Sequence, residues 1–247
     1  MSAEMKLERT QLVKSLERRK LFRGGLSLGA LALLPGCDIT SNDSVRSVLA
    51  ALSRWNDEAQ AALFSPTRLA PTYREDQWVK DFRYNAFFGP DDAPDLKDAD
   101  YKLQLSGLID DKRPWTIEML HALPQQTQIT RHVCVEGWSM IGKWGGIPLG
   151  DFLRRIGADT TAGYVGFECA DGYYEALDMP TALHPQTFMA FTCSDQTLAR
   201  KYGYPFKIRV PTKLGFKNPK WVTTIYVTNR QPNSFWADRG YNWFSGS

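Results

Sequence analysis

Residues 131–149 read Arg131-His-Val-Cys-Val-Glu-Gly-Trp-Ser-Met-Ile-Gly-Lys-Trp-Gly-Gly-Ile-Pro-Leu149. The run 128–135 is short and β-prone, which puts Cys134 at the end of a strand; the glycines behind it predict a turn-rich continuation. A cysteine held at such a strand end is a soft thiolate at a pocket rim, with Arg131 and His132 beside it to lower its pKa or to hold an anion. The competing reading of the same residues is a buried structural thiol, the usual fate of a lone cysteine.

Outward from this stretch lie further short β-prone runs, 164–169, 207–210 and 221–228. From Tyr101 the order Tyr-Lys-Leu-Gln-Leu-Ser-Gly-Leu alternates as a strand does, and Asp110-Asp111 makes a turn. Residues 116–123 read as a short helix stopped by Pro124, and 149–156 as another. Short helices among many short strands predict a mixed α+β domain. Regular βαβ alternation and a dinucleotide fingerprint are both missing from the sequence, which argues against a Rossmann enzyme. Nearer the N-terminus, 41–44 offers helix caps, and Val45, Val48, Leu49, Leu52, Trp55, Ala59, Ala62 and Leu63 share one face of the predicted helix that follows. Asp91, Asp92, Asp95, Asp98 and Asp100 lack the spacing and closing Glu of a calcium loop and read as a solvated linker.

The whole chain carries a formal net charge of +3, but residues 1–36 hold seven Lys/Arg against three Asp/Glu. The remainder has 23 basic and 24 acidic residues, so nothing in it asks for a nucleic-acid partner. Within 1–36, Arg18-Arg19 precede bulky apolar residues and a weakly hydrophobic segment too short to span a bilayer, the pattern of a twin-arginine export signal. That route moves folded proteins, and so serves those that acquire a cofactor before leaving the cytoplasm. Leu34-Pro-Gly-Cys37 is similar to a lipoprotein cleavage site, although Pro35 is unusual there; the outcomes are a lipid anchor at Cys37, ordinary cleavage nearby, or none. The expected organisation is therefore an export signal over 1–36, a helix and linker over 37–79 and a catalytic domain over 80–247, with a periplasmic location. Cys37, Cys134, Cys169 and Cys193 show no C-x-x-C spacing. Cys169 and Cys193 can be a disulfide or two buried thiols, and Cys134 is the best candidate for an unpaired cysteine.

The string Arg-His-x-Cys-Val-Glu-Gly-Trp-Ser-x-Ile-Gly-x-Trp-Gly-Gly closely resembles the molybdenum-binding segment of the sulfite oxidase fold family, nearest to its exported bacterial branch of methionine-sulfoxide reductase catalytic subunits. The resemblance covers roughly residues 80–230. It implies that Cys134 is the one protein ligand to molybdenum, alongside a single pterin dithiolene. It further implies that Gly203-Tyr-Pro-Phe-Lys-Ile-Arg-Val-Pro-Thr-Lys-Leu-Gly-Phe-Lys-Asn-Pro-Lys-Trp221 is the second cofactor segment, with Lys207, Asn218, Pro219 and Lys220 at contacting positions and Lys217 close by. Lysines and main-chain N–H groups in a tight turn suit a phosphate. Arg83-Tyr-Asn-Ala-Phe-Phe-Gly89 resembles a loop over the pterin and nominates Asn85 with the main chain of Phe88 and Gly89, while Arg131 and Cys169 complete the expected cofactor set. Tyr202, Lys207 and Cys169 stand where the methionine-sulfoxide reductases carry Asn, Arg and Thr, which puts the substrate in doubt more than the cofactor.

Sulfite-oxidising relatives surround their cysteine with residues for an anion. Here Glu136 and Trp138 point to oxygen abstraction from a neutral S-oxide or N-oxide, with Glu136 and His132 as further catalytic candidates. The alternatives are sulfite dehydrogenase-type oxidation and a metal-free exported binding lipoprotein. The sequence has no haem or iron–sulfur motif, so a separate electron carrier is expected, and the resemblance implies a membrane haem subunit. The aromatic tail from Ser234 is expected to pack.

Overall fold

The computed structural model describes residues 43–86 and 88–246. The twin-arginine segment with Arg18 and Arg19, the cleavage motif with Cys37, Phe87 and Ser247 lie outside the described residues. By its internal contacts the chain divides between Leu52 and Ser53, and the described residues from Ser53 onward form one compact unit. Residues 53–79 thus fall in the same unit as everything C-terminal to them.

That unit is built on two sheets. In chain order the strands are β1 (Gln104–Gly107), β2 (Gln126–Val133), β3 (Ser139–Pro148), β4 (Tyr164–Cys169), β5 (Tyr174–Asp178), β6 (Phe188–Cys193), β7 (Gln196–Thr197), β8 (Lys207–Arg209) and β9 (Val222–Thr228). The first sheet runs β1-β9-β4-β5; the second runs β2-β3-β6-β7, with β8 also on β6. All pairings are antiparallel except β1 with β9. Helices are few and short apart from α1 (Asp43–Leu63): α2 (Ile117–His121), α3 (Leu149–Arg155) and α4 (Met179–Ala182). This is an α+β fold, as the sequence predicts. The main core joins both sheets through Val165, Phe167, Met189, Phe191, Ile208 and Ile225, packed with Phe152 and Leu153 of α3.

Two local features depart from the sequence reading. The expected turn follows Cys134 at Gly137, but the later glycines Gly142, Gly145 and Gly146 lie in β3, a ten-residue strand, and not in a further turn. Two of its glycines, Gly145 and Gly146, are there because the neighbouring strand comes too close for a side chain. A Cβ on Gly146 would sit 2.0 Å from the Met189 carbonyl oxygen, and one on Gly145 2.3 Å from Thr192 Oγ1. The β3–β6 register shifts between these two glycines.

The second departure is α1. An apolar stripe at helical spacing ordinarily faces a core, yet Trp55 is 67% and Leu63 85% exposed. The helix uses its polar side instead. Asp57 accepts from the main-chain N–H of Trp243 and Phe244 at 2.9 and 2.8 Å, Gln60 accepts from Gly246 at 2.8 Å, and Asn242 donates to Ser53. These bonds satisfy a C-terminal segment that has no sheet partner for those N–H groups.

Candidate active site

Strand β2 presents alternate residues to opposite sides. Thr130 and His132 are buried, Arg131 is exposed and Val133 is half-buried. The chain then turns tightly: Cys134 N–H donates to Trp138 O at 2.9 Å and Gly137 N–H to Cys134 O at 3.2 Å, with Gly137 at φ 84°. Only a residue without Cβ takes that conformation at little cost. The turn delivers Cys134 into a pocket lined by Asn85, Phe88, His132, Glu136, Lys207 and Lys220 among others.

The loop from Tyr84 to Gly89 caps this pocket. Tyr84 hydroxyl donates to the Phe88 carbonyl at 3.0 Å, Lys220 Nζ donates to the Asn85 carbonyl at 2.6 Å, and Asn85 Nδ2 lies 3.7 Å from Cys134 Sγ. Behind the lining, two residues along β8 from Lys207, Arg209 is fully buried. It donates to Asn218 Oδ1 at 2.8 Å and to the Arg131 carbonyl at 2.6 Å, and its guanidinium stacks 5.5 Å from the Trp144 ring. Asn218 Oδ1 also accepts from Val210 N–H at 2.8 Å, which fixes the loop carrying Pro219 and Lys220. Gly215 leaves room for His132, whose Nε2 would lie 2.7 Å from a Cβ there.

The electrostatics call for an anion. Burial brings Lys207 down to about 7, with Lys220 and Arg209 adding repulsion, and burial lowers Lys220 to about 8 and Arg209 to about 9. Lys207 and Arg209 form no ion pair among the described residues. Arg209 Nε, Trp144 Nε1 and His132 Nδ1 are buried without a hydrogen-bond partner. Buried polar atoms are nearly always satisfied, so this cluster reads as the receptor for a negatively charged polar group.

Most sequence-nominated residues meet here: Asn85, Phe88, His132, Cys134, Glu136, Lys207, Asn218, Pro219 and Lys220 all line the pocket. Four do not. Arg131 faces the other side of β2 and lines a separate cavity with Val133. It is therefore not placed to lower the Cys134 pKa, and neither is His132, which burial and the cations Arg209, Lys207 and Lys220 hold well below the ordinary imidazole range, hence neutral. The Cys134 thiol itself is pushed up by burial. Lys217 is spent in a buried ion pair with Glu175 at 2.7 Å. Cys169 is buried behind the pocket wall, its thiol pushed well up by burial, and Gly89 accepts from Tyr84 hydroxyl outside the lining. Cys134, Cys169 and Cys193 are all free thiols, which resolves the disulfide question in favour of buried cysteines.

The sequence reading also missed contributors. Arg209 alternates with Lys207 on β8, a signal that was available. Gly215, Phe216, Asp171, Tyr173 and Trp236 line the pocket from three distant segments. Trp236 belongs to the aromatic tail expected only to pack.

Comparison with known proteins agrees with this geometry. Residues 91–236 match the family described as the oxidoreductase molybdopterin binding domain. This chain belongs to the molybdopterin-binding oxidoreductases. A putative protein-methionine-sulfoxide reductase subunit of Azospira oryzae is 52% identical over 230 residues, spanning 93% of this chain and 88% of that one. A protein-methionine-sulfoxide reductase catalytic subunit of Ralstonia nicotianae is 31% identical, spanning 79% of this chain and 70% of the relative. Among solved structures, the sulfane dehydrogenase SoxCD of Paracoccus pantotrophus superimposes with a TM-score of 0.52 at 22% identity, over 56% of this chain and 40% of that one, a likeness of fold. As a molybdopterin-binding oxidoreductase the chain uses molybdenum held by the pterin. Its residues fit that group: a single thiol faces the pocket, Lys207 and Lys220 are in its lining, and the buried Arg209, with its Nε unpartnered, lies two residues along β8 from Lys207, a donor set suited to an anionic pterin phosphate.

Proposed function

We propose that this enzyme reduces an S-oxide, methionine sulfoxide in protein or a small analogue, with Cys134 as the protein ligand to molybdenum. The observation that carries the reading is the lining of the pocket. No arginine is among its lining residues, while the carboxylates Glu136 and Asp171 are, beside the aromatic rings of Tyr173, Phe216 and Trp236. With the lysines Lys207 and Lys220 given to the pterin, a dianionic sulfite would be repelled by the carboxylates Glu136 and Asp171, and a neutral sulfoxide carries no charge for them to repel. The names of the two relatives point the same way.

When bound, the cofactor supplies two-electron oxygen-atom transfer. The chain's part is to hold and exclude. Asn85 and the turn at Gly137 would fix the thiol, Lys207 and Lys220 would neutralise the anionic pterin with the charge of the buried Arg209 behind them, and Asn218 would hold the loop that carries Lys220. The rings at the mouth limit water around the reacting S–O bond. In the balanced reaction the S–O bond breaks, sulfur keeps the electron pair as a thioether, and oxygen leaves as water after two electrons and two protons are taken up. Glu136, which accepts from Trp138 Nε1 at 2.8 Å, is held at the mouth by that bond and by Arg83 stacked 5.1 Å from the Trp138 ring.

The electrons come from a separate carrier, in keeping with the Ralstonia relative's designation as a catalytic subunit. A membrane haem subunit is the carrier we favour. The twin-arginine segment supports a periplasmic location after folding and cofactor loading, with lipidation at Cys37 as the route to membrane attachment.

The test is metal content and turnover together. The folded protein should contain close to one molybdenum per chain, and Cys134→Ala should abolish reduction of methionine sulfoxide by a dithionite-reduced dye. Molybdenum-free protein from cells that make the cofactor, or a loaded enzyme that oxidises sulfite and leaves sulfoxides untouched, would overturn the reading.

A further inference from the structure

A second cavity, of about 440 Å³, lies on the side of β2 away from Cys134. It is lined by Leu63, Arg68, Leu69, Arg131, Val133 and Thr212 among others. Arg68 and Arg131 are both exposed there, and neither forms an ion pair or a side-chain hydrogen bond among the described residues. Thr212 Oγ1 is buried without a partner.

The rim is a built structure. His184 Nε2 contacts the Arg68 carbonyl at 3.1 Å, and the Gln186 side chain grips the Ala70 main chain twice, at 2.8 and 3.1 Å. These bonds flank Leu69, and two large apolar side chains stand out in solvent on this rim: Leu63 is 85% and Leu69 57% exposed. Trp55, 67% exposed, lies two turns back on the same outward stripe of α1. No described helix is long and apolar enough to cross a membrane.

We propose that this cavity and its rim form a docking site for an anionic phospholipid surface, with lipid phosphates between Arg68 and Arg131 and with Leu63, Leu69 and Trp55 in the interfacial layer. Cations without a carboxylate partner complement anionic headgroups, each contributing through the surface potential. Projecting leucines and a tryptophan beside them gain by entering the acyl boundary, where an amphipathic ring is also at home. A soluble metabolite would satisfy the arginines but leave the three apolar side chains in water.

The test is co-sedimentation of the full, cofactor-loaded chain with sucrose-filled vesicles at low ionic strength. It is run in a Cys37→Ser background so that no acyl chain contributes. Binding is read without turnover, so the result is independent of the proposed reaction. The chain should bind phosphatidylglycerol vesicles at least about tenfold better than phosphatidylcholine, in line with surface-potential attraction of its two arginines. Arg68→Gln and Arg131→Gln should each weaken that binding about fivefold, and Leu63→Ser with Leu69→Ser should weaken it again. All four positions reach the surface, so an unchanged melting temperature confirms the fold. Equal binding to both vesicle types, or full binding by the double arginine variant, would overturn the proposal. So would binding only to vesicles that contain a membrane protein.

Discussion

Lys217 Nζ stands 2.7 Å from Glu175 Oε1, and the two side chains are 1% and 0% exposed. Lys217 also donates to the Ala176 carbonyl at 2.8 Å and stacks 4.3 Å from the Trp243 ring, while Glu175 accepts from the Ala176 N–H and the Tyr173 hydroxyl. The pair ties the loop carrying Asn218 and Lys220 to β5 behind the pocket. Removing one partner strands a buried charge. Lys217→Ala should cost about 3–5 kcal/mol in urea unfolding, whereas Lys217→Met with Glu175→Leu should cost much less. Equal losses in the two variants would mean that packing, not charge pairing, dominates.

Arg209 bonds Asn218 and the Arg131 carbonyl through two different nitrogens. A lysine keeps the charge and cannot reach both. Arg209→Lys should lose about 1.5–3 kcal/mol of stability together with most of the bound molybdenum. Full metal content in a destabilised variant would confine Arg209 to a structural part.

The Gly146 site has no slack, because the obstacle is backbone. A methyl there meets the Met189 carbonyl at 2.0 Å. Gly146→Ala should destabilise the chain by about 3 kcal/mol or more, seen as a drop in melting temperature. Gly172→Ala meets nothing within 4 Å. Its φ of 78° still strains an alanine, and a loss of about 1–2 kcal/mol is expected there.

Lys213 is buried, its Nζ has no hydrogen-bond partner, and the nearest carboxylate, Asp178, is 3.9 Å away. Burial lowers it to about 7 from 10.5, with Asp178 and Asp57 opposing the shift and Lys217 adding to it. Between these two values the unfolded chain holds the proton and the folded chain does not, so stability from this group rises with pH across that window. Below pH 7 the folded state bears the full cost of a buried ammonium. Lys213→Met should therefore stabilise the protein at pH 6, by on the order of 2 kcal/mol, and the gain should fade towards pH 10. The gain is held below what the shift implies because the variant gives up the contact of Nζ with the Phe244 ring at 2.8 Å. A pH-independent difference would show that Lys213 does not titrate in this window.

Much of the site was legible because its chemistry is concentrated in two short segments, one around Cys134 and one from Lys207 to Lys220. The strand Tyr164–Cys169 was read to the residue from its β-prone composition. What failed did so for identifiable reasons. Arg131 was drawn into the site by proximity in sequence, although the period of a strand puts it opposite His132 and Cys134. Lys217 looked like a phosphate ligand because the partner that occupies it, Glu175, lies 42 residues away. Gly145 and Gly146 suggested a turn because the close approach of β6 that demands them is a tertiary fact. Trp236 and Asp171 reach the pocket from segments with no local mark of it.

The two-sided character of β2 has a consequence for how this protein can change over time. Changes at positions 131 and 133 alter what the back of the sheet meets, while 132 and 134 continue to line the pocket. A gain or loss of one residue within 126–130 is another matter, since it would turn every following side chain to the wrong side and set a valine where the thiol belongs. The strand accepts new letters at alternate places and no change in its spelling length.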